Sequence, residues 1–236
     1  NMAACMEQKQ KELYHAHAQR LALMLQNQTE EEFADSRFQV LSELTRLRQL
    51  CCDPALVYEN YEGGSAKLDL CIELIQSAVE SGHKILLFSQ FTSMIEILTA
   101  RLQEESISCF VLQGSTKKEQ RAQMVEQFNR DDTSVFCISL KAGGTGLNLT
   151  GADIVIHYDP WWNVAVENQA TDRAHRIGQK NVVTVYKLIA KGTIEEKIIK
   201  LQQMKEELAE EILSGDEIKT ASFQREELLE LLEERF

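Results

Sequence analysis

The amino-acid sequence predicts an α/β fold built on a doubly wound parallel sheet, and three features support this prediction. From Lys67 onward, short and continuous apolar segments such as "KILLFS" and "SVFCIS" alternate with segments of helical apolar spacing. The short segments lack the apolar-polar alternation of half-exposed strands, as expected for strands covered on both faces. Polar and glycine-rich residues follow several of them, where open α/β sheets bind ligands. The pattern is therefore that of a parallel sheet with helices on both faces.

Each element follows from its own local pattern. Residues 3–27 and 37–51 have helical apolar spacing, and Asp53-Pro54 ends the second helix. Strands are predicted at 84–89, 109–113, 134–139, 153–158 and 182–189, with helices at 67–80, 93–105 and 117–129 and a further helix that carries Arg173 and Arg176. Residues 193–213 predict a long charged helix, and its apolar stripe favours packing against the α/β domain as a brace. A short helix is predicted at 226–236.

These elements divide the chain into three predicted parts. They are a helical segment at 1–65, an α/β domain at 66–192 and brace helices at 193–236. The first residue is Asn1 rather than Met2, so we expect the sequence to be an excerpt from a longer protein.

Charge is distributed unevenly along the 236 residues, whose formal net charge is -12. Residues 1–82 contain 7 basic and 13 acidic side chains, residues 83–192 contain 12 and 11, and residues 193–236 contain 6 and 13. This balance argues against a generic nucleic-acid binder and predicts that any polyanion site is local and lies in the middle of the chain. No apolar run is long enough for a membrane span and no signal peptide is indicated, so we expect a soluble, intracellular protein.

The cysteines and histidines do not predict a metal centre. The six cysteines include no CxxC pair and several lie in apolar runs, which favours buried, reduced thiols. His15 and His17 have no accompanying ligand cluster. We therefore predict no structural metal.

A glycine-rich loop follows the strand "SVFCIS". Gly143, Gly144 and Gly146 would let backbone amides approach an anion, and Lys141 adds positive charge, although such a loop can also be only a tight turn. The sequence contains no GxxxxGK[ST] P-loop, no GxGxxG fingerprint and no DExH or DEAD tetrad after a strand. The usual triphosphate cradle is therefore missing from this chain.

The segment "QATDRAHRIGQK" places two arginines three residues apart. Asp172, Arg173 and Arg176 could exchange surface charge along a solvated helix. Alternatively, the two arginines form a rigid fork directed at phosphate, because guanidinium groups stay charged and match phosphoryl oxygens in geometry. Local sequence does not decide between these interpretations.

Four ordered motifs resemble a known family. The segments "ILLFSQFTSM", "LQGSTKKEQRAQMVEQFN", "ISLKAGGTGLNLTGADIVIHYDPWWN" and "NQATDRAHRIGQ" are similar to those of the second RecA-like lobe of Swi/Snf-type ATPases, within the superfamily-two helicases. The resemblance covers about residues 37–213, and the residues of these motifs are most like those of bacterial members of the family. It implies a RecA-like α/β lobe with an N-terminal helical segment and a C-terminal brace.

The resemblance also implies a nucleotide site shared between two lobes. In such motors ATP is bound by the P-loop and acidic box of the first lobe, which would also hold most of the Mg²⁺ coordination. Arg173 and Arg176 would be arginine fingers that stabilise charge on the γ-phosphoryl group. Gln169, Gly146 and Asn148 match family positions near the nucleotide and the lobe interface.

The same resemblance implies a DNA-binding surface at the other strand ends. Hydroxyls, amides and single cations there suit sequence-independent contacts with phosphate. Trp161 and Trp162 could instead be core aromatics, and Trp161 stands where the family often has an acidic residue. The implied DNA-binding residues are Ser89, Gln90, Gly114, Ser115, Arg121, Ser139, Leu140, Lys141, Trp162 and Asn163.

Taken together, the sequence predicts the second motor lobe of an ATP-dependent double-stranded DNA translocase. Its expected partners are double-stranded DNA, the N-terminal RecA-like lobe of the same parent chain and a DNA-bound protein target, without a membrane. The isolated chain is expected to lack ATPase activity, and a bacterial cytoplasmic, nucleoid-associated location is expected. The alternatives are a non-catalytic DNA- or protein-binding module and a lobe of a strand-separating helicase.

Overall fold

The computed structural model describes residues 1–140, 142, 147–176, 178–211 and 224–232. The chain forms two compact units. One comprises Asn1–Ala4 and Ala66–Ile189, and the other comprises Cys5–Ser65 and Ala190–Phe236.

The first unit contains a six-stranded sheet with four helices. Its strands are β1 (Met2–Ala4), β2 (Ile85–Ser89), β3 (Cys109–Leu112), β4 (Val135–Ser139), β5 (Ile154–His157) and β6 (Thr184–Ala190), the last of which reaches the boundary of the unit. Its helices are α3 (Ala66–Glu80), α4 (Thr92–Glu104), α5 (Lys118–Arg130) and α6 (Val164–Thr171).

Strand pairing confirms the predicted parallel α/β fold. The strand order is β1-β6-β5-β2-β4-β3, and the pairs β5–β6, β2–β5, β2–β4 and β3–β4 are all parallel. Every residue of β2, β4 and β5 is buried, as their uninterrupted apolar sequences require. Ser89 lies opposite Ser139 and Phe88 lies opposite His157, so the carboxyl ends of the three strands meet at one edge.

One hydrophobic cluster of this unit includes Phe88 and Ile138, close to the carboxyl ends of β2 and β4. Phe128 of α5 and Phe136 of β4 pack edge to face with ring centroids 5.2 Å apart. Phe88, Leu149 and Ala174 belong to the same buried cluster. Burial of such side chains contributes about 1.5–3 kcal/mol each. Segments that follow the strands are thus fixed by packing.

The second unit is helical. It contains α1 (Gln8–Gln26), α2 (Glu30–Cys52), a 3-10 turn (Pro54–Leu56), α7 (Ile194–Glu211) and α8 (Arg225–Leu232). The hydroxyl oxygen of Tyr14 accepts a hydrogen bond from the backbone N–H of Ile194 at 2.8 Å, which connects α1 to the start of α7. Within the described ranges, no helix has the length and hydropathy needed to cross a membrane.

Two boundaries at the N-terminal end differ from the prediction. Residues 2–4 form an edge strand instead of starting a helix, since three residues are too few to show a period. Helix α2 starts at Glu30 rather than at residue 37. The cause is a capping box, in which Thr29 accepts from the backbone N–H of Glu32 and Glu32 accepts from that of Thr29.

The cysteines are free thiols, as predicted, but not all of them are buried. Cys51, Cys52, Cys71 and Cys137 lie in the interior, whereas Cys5 is exposed. Cys5 lies between β1 and α1, and the prediction of a buried thiol was wrong there although the neighbouring residues are apolar.

We expect Thr29→Ala to lower the free energy of unfolding of the helical unit by about 1 kcal/mol, because the first turn of α2 loses its cap. The measurement is urea denaturation followed by circular dichroism. The matched control is Thr45→Ala in the middle of the same helix, where the hydroxyl only bonds to the Leu41 carbonyl. Equal effects of the two substitutions would contradict the capping role.

Candidate functional site

The carboxyl ends of β2, β4 and β5 are joined by hydrogen bonds. The Ser89 hydroxyl donates to Oδ1 of Asp159 at 2.5 Å, and the backbone N–H of Gln90 donates to both oxygens of that carboxylate at 3.3 Å. The backbone N–H of Leu140 donates to the Ser89 carbonyl at 3.0 Å. The loops after the three strands are therefore held against one another.

Asp159 is the residue that the sequence reasoning missed at this edge. Its side chain is buried, and a buried carboxylate is costly unless several donors satisfy it. Ser89 and Gln90 supply such donors, so the acid fixes the turn that follows β2. An acid two residues after the end of β5 is the signal that could have indicated it.

Ser139 shapes the start of the glycine-rich loop. The backbone N–H of Ala142 donates to both the hydroxyl and the carbonyl oxygen of Ser139, at 3.1 and 3.0 Å. Because Ser139 is buried, its hydroxyl acts on the loop and is not presented at the surface. The predicted site residues Lys141 and Gly146, and with them Gly143 and Gly144, lie outside the described residues.

The two arginines are not on a helix, and in this respect the prediction was wrong. Helix α6 ends at Thr171, and Arg173 and Arg176 lie in the turns that follow. In a continued helix, the carbonyls of residues 173 and 174 would accept bonds from residues four positions later. They accept instead from the backbone N–H of Leu149 and from the side chain of Gln179, and these tertiary bonds replace the helical ones.

Arg173 is buried although it is charged. Its guanidinium lies 5.5 Å from the centre of the Phe88 ring, and only 4% of the residue is exposed. Burial, with a smaller contribution from the charge of Arg176, lowers the pKa of Arg173 to about 10, so the group remains protonated at neutral pH. Nη1 has no hydrogen-bond partner among the described residues.

Arg176 is exposed and its Nε donates to the carbonyl of Asp172 at 3.3 Å. In the described part of the chain, neither arginine forms an ion pair with a carboxylate, and the Asp172 side chain pairs with neither of them. The ion-paired surface helix therefore has no support in this geometry. Two neighbouring positive charges without a counter-anion form an arrangement that can bind a phosphate or another anion.

His157 anchors the end of α6 against the sheet. Its ring stacks on Phe88 with centroids 5.6 Å apart, and Nε2 lies 3.0 Å from the hydroxyl of Thr171. Burial is the main reason that the pKa of His157 falls to about 4, with Glu167 opposing the shift and Lys187 adding to it. The ring is therefore neutral at pH 7, and Phe88 contacts both this imidazole and Arg173.

Two residues of the predicted nucleotide group are exposed. Gln169 lies on α6, and the Asn148 side chain faces outward while its carbonyl accepts from Nδ2 of Asn129 at 2.8 Å. The structure places Asn148 next to Leu149, whose N–H bonds to Arg173. Asn148 and the arginine segment are thus close to each other in the fold.

The motif "DPWWN" is held to α6 by a hydrogen bond to the buried carboxylate of Glu167, which also pairs with Lys187. Oε1 of Glu167 accepts from the Trp161 backbone N–H at 2.7 Å, and Oε2 lies 2.7 Å from Nζ of Lys187. Trp162 is half-buried, and Asn163 caps α6 by accepting from the Ala165 N–H at 3.0 Å. The side-chain oxygen of Asn163 therefore already accepts a hydrogen bond from within the chain.

The loop after β3 has two exposed residues and is held in shape by the side chain of Arg121. Gly114 and Ser115 are exposed. Arg121 of α5 donates to four backbone carbonyls, those of Gln113, Gly114, Thr116 and Ala142, at 2.8–3.3 Å. Its guanidinium defines the shape of this loop and ties it to the loop after β4, while the predicted phosphate contact stays a prediction.

The described residues contain no group of three or more His, Cys, Asp or Glu side chains that could hold a metal ion. The buried acids Asp159 and Glu167 are each engaged by protein donors.

Comparison with known proteins gives consistent matches. The family model "Helicase conserved C-terminal domain" matches residues 66–178. An uncharacterised ATP-dependent helicase of Mycoplasma pneumoniae is 45% identical over 202 residues, which are 84% of this chain and 19% of the relative. The chain spans about a fifth of the length of the curated relatives that it matches first.

Two solved structures from Sulfolobus solfataricus share the fold. The SWI2/SNF2 ATPase C-terminal domain has a TM-score of 0.79 and 31% identity, and the match covers 100% of this chain and 98% of that one. The SWI2/SNF2 ATPase core in complex with double-stranded DNA has a TM-score of 0.74 and 33% identity, covering 89% of this chain and 44% of that one.

The buried histidine generates a test of stability against pH. Because the pKa of His157 falls from 6.5 to about 4 on folding, its contribution is fully present above pH 6.5 and is lost as the pH falls towards 4. We expect the free energy of unfolding of the native chain, relative to that of His157→Gln, to decrease by about 3 kcal/mol between pH 7 and pH 4.

Urea denaturation at a series of pH values measures this difference. The matched control is His175→Gln, the same substitution at an exposed histidine of the adjoining segment. A difference that stayed constant with pH for His157→Gln would contradict the proposed effect of burial.

Proposed function

Because this chain belongs to the Swi2/Snf2 family of ATPases, as a C-terminal lobe of the ATPase core, we propose that it is the second motor lobe of an ATP-dependent translocase on double-stranded DNA. The observation that supports this most directly is the pair Arg173 and Arg176, two positive charges without a carboxylate partner in the described residues. A pure binding module would not need a buried arginine with an unused donor.

The arginines are proposed to act on ATP held by another lobe. This chain contains no P-loop, so ATP, and most of the coordination of Mg²⁺, are assigned to the N-terminal lobe of the same parent protein. Phosphoryl transfer depends on positioning and electrostatic stabilisation, and an arginine supplied from outside the phosphate-binding lobe can raise the rate by about 10³- to 10⁵-fold. Arg173 and Arg176 would stabilise the negative charge that develops on the γ-phosphoryl oxygens.

The burial of Arg173 supports this role in energetic terms. A guanidinium that is already desolvated and fixed against Phe88 loses little solvation or conformational freedom when an anion arrives. Gln169 and Asn148, which are exposed near this segment, are proposed to contact the nucleotide or the first lobe, together with Gly146.

The DNA is proposed to bind along the loops after β2, β3 and β4. Gly114 and Ser115 are exposed and suit direct contact with phosphate, whereas the buried Ser89 and Ser139 would act through the shape of their loops. Gln90, Leu140 and Lys141 are proposed to complete this surface, with Lys141 supplying a positive charge, and Arg121 braces it. Trp162 and Asn163 are proposed to flank it.

The charge distribution supports local contact with the DNA backbone. The chain has a net charge of -12, but residues 83–192 are nearly balanced with 12 basic and 11 acidic side chains. Contacts with phosphate position a protein without reading sequence, which is what a translocase requires. The structure of the Sulfolobus core was solved with double-stranded DNA, which further supports this partner.

We expect Arg173→Ala and Arg176→Ala, each made in the two-lobe protein, to lower DNA-stimulated ATP turnover by about 10³- to 10⁵-fold because transition-state charge is no longer stabilised. Affinity for duplex DNA should change by less than about threefold, since neither arginine belongs to the proposed DNA surface. Steady-state ATPase assays and DNA titrations measure the two effects.

The matched control is Arg130→Ala, which removes an exposed arginine at the far end of α5 that pairs only with Glu126 among the described residues. Normal turnover in the Arg173→Ala protein would refute the role of this residue in hydrolysis.

We expect the isolated chain to hydrolyse no ATP above background, with or without duplex DNA, because the P-loop is absent from it. Phosphate release by the purified chain is the measurement. DNA-stimulated hydrolysis that disappeared in Arg173→Ala would show instead that the chain binds ATP productively by itself.

A further inference from the structure

The arginine segment after α6 needs a fixed shape that its own secondary structure does not provide. Helix α6 ends at Thr171, two residues before Arg173. Residues 172–176 then form turns, and Gly178 has a φ of +108°, a backbone conformation that favours glycine. Contacts from elsewhere in the fold must therefore determine where the two guanidinium groups lie.

Gln179 makes most of these contacts. Its amide nitrogen Nε2 donates to the carbonyls of Thr150, Ala152 and Ala174, at 3.2, 2.7 and 3.1 Å. Its Oε1 accepts from the backbone N–H of Asn181 at 3.0 Å. The side-chain amide of Gln179 thus forms hydrogen bonds, through both its nitrogen and its oxygen, with backbone groups of three separate segments.

Two of these three segments adjoin the arginines. Ala174 lies directly after Arg173, and residues 150–152 follow Leu149, whose N–H bonds to the Arg173 carbonyl. The backbone N–H of Gln179 also donates to the carbonyl of Arg176 at 3.0 Å. Gln179 therefore ties the backbone next to Arg173 and the backbone of Arg176 to the segment that leads into β5.

The geometry points to Gln179 as a positioning residue for Arg173 and Arg176, an inference that rests on the proposed function. Gln179 touches neither arginine side chain in the described structure and acts through the backbone on either side of them. Such a residue affects the rate by placing the guanidinium groups, and a displacement of about 1 Å can reduce an enzymatic rate by about 10²-fold.

The test is Gln179→Leu in the two-lobe protein, which keeps the size of the side chain and removes its hydrogen bonds. We expect kcat with saturating ATP and DNA to fall by about 10- to 100-fold. The KM for ATP and the Kd for duplex DNA are expected to stay within about threefold. The matched control is Gln103→Leu, the same substitution at an exposed glutamine in the last turn of α4.

A second background separates positioning from a loss of folded protein. Arg173→Lys combined with Arg176→Lys keeps both charges without the planar forks and should leave a reduced turnover. If Gln179 acts by placing the two guanidinium groups, adding Gln179→Leu to this double variant should lower kcat by less than about threefold. The same 10- to 100-fold loss in both backgrounds would overturn the inference, because a general loss of folded enzyme is independent of the two arginines.

The outcomes distinguish the inference from the proposed function. Normal turnover in Arg173→Ala would reject the proposed role of Arg173 in hydrolysis, on which the inference rests. Loss of turnover in Arg173→Ala together with normal turnover in Gln179→Leu would reject only the role of Gln179. If Gln179→Leu does not bind DNA as a folded protein, Gln179→Glu is used in both backgrounds, since it keeps the acceptor for Asn181 and loses both amide protons.

Discussion

The candidate site depends on one constraint, which is the parallel register of β2, β4 and β5. Ser89 lies opposite Ser139, and Phe88 lies opposite His157, so three chain segments leave the sheet side by side. Asp159 and the Leu140 amide then link these segments, and the Phe88 ring supports both His157 and Arg173. A shift of one residue in any of the three strands would turn their side chains to the opposite face and separate these partners.

The site also shows how a fold can hold a charge that its own residues do not neutralise. Burying Arg173 with an unused donor costs free energy, as the lowered pKa of the group indicates. The surrounding core offsets this cost, since Phe88, Leu149 and Ala174 pack into one buried cluster. An energetically unfavourable arrangement of this kind at a functional site persists where the surrounding packing and hydrogen bonds fix the local structure.

The sequence could predict the structural features that depend on local residue patterns. The strands β2 and β4 are uninterrupted apolar segments, and the comparisons confirm the fold and the family that the ordered motifs indicated. The end of α6 could not be predicted, because Leu149 and Gln179 compete for helical carbonyls from distant positions. Asp159 and Gln179 were missed for the same reason: their importance comes from tertiary partners that no local spacing reveals.

The extent of the matched family region has a consequence for the sheet. The conserved helicase region, residues 66–178, ends before β6 and starts after β1. A protein cut to that region would lose the two strands at one side of the sheet. It would leave β5, whose residues are all buried in the complete fold, as a bare apolar edge. Unprotected edges of this type pair with other chains, so the boundaries of the matched family model would here delimit an aggregation-prone fragment.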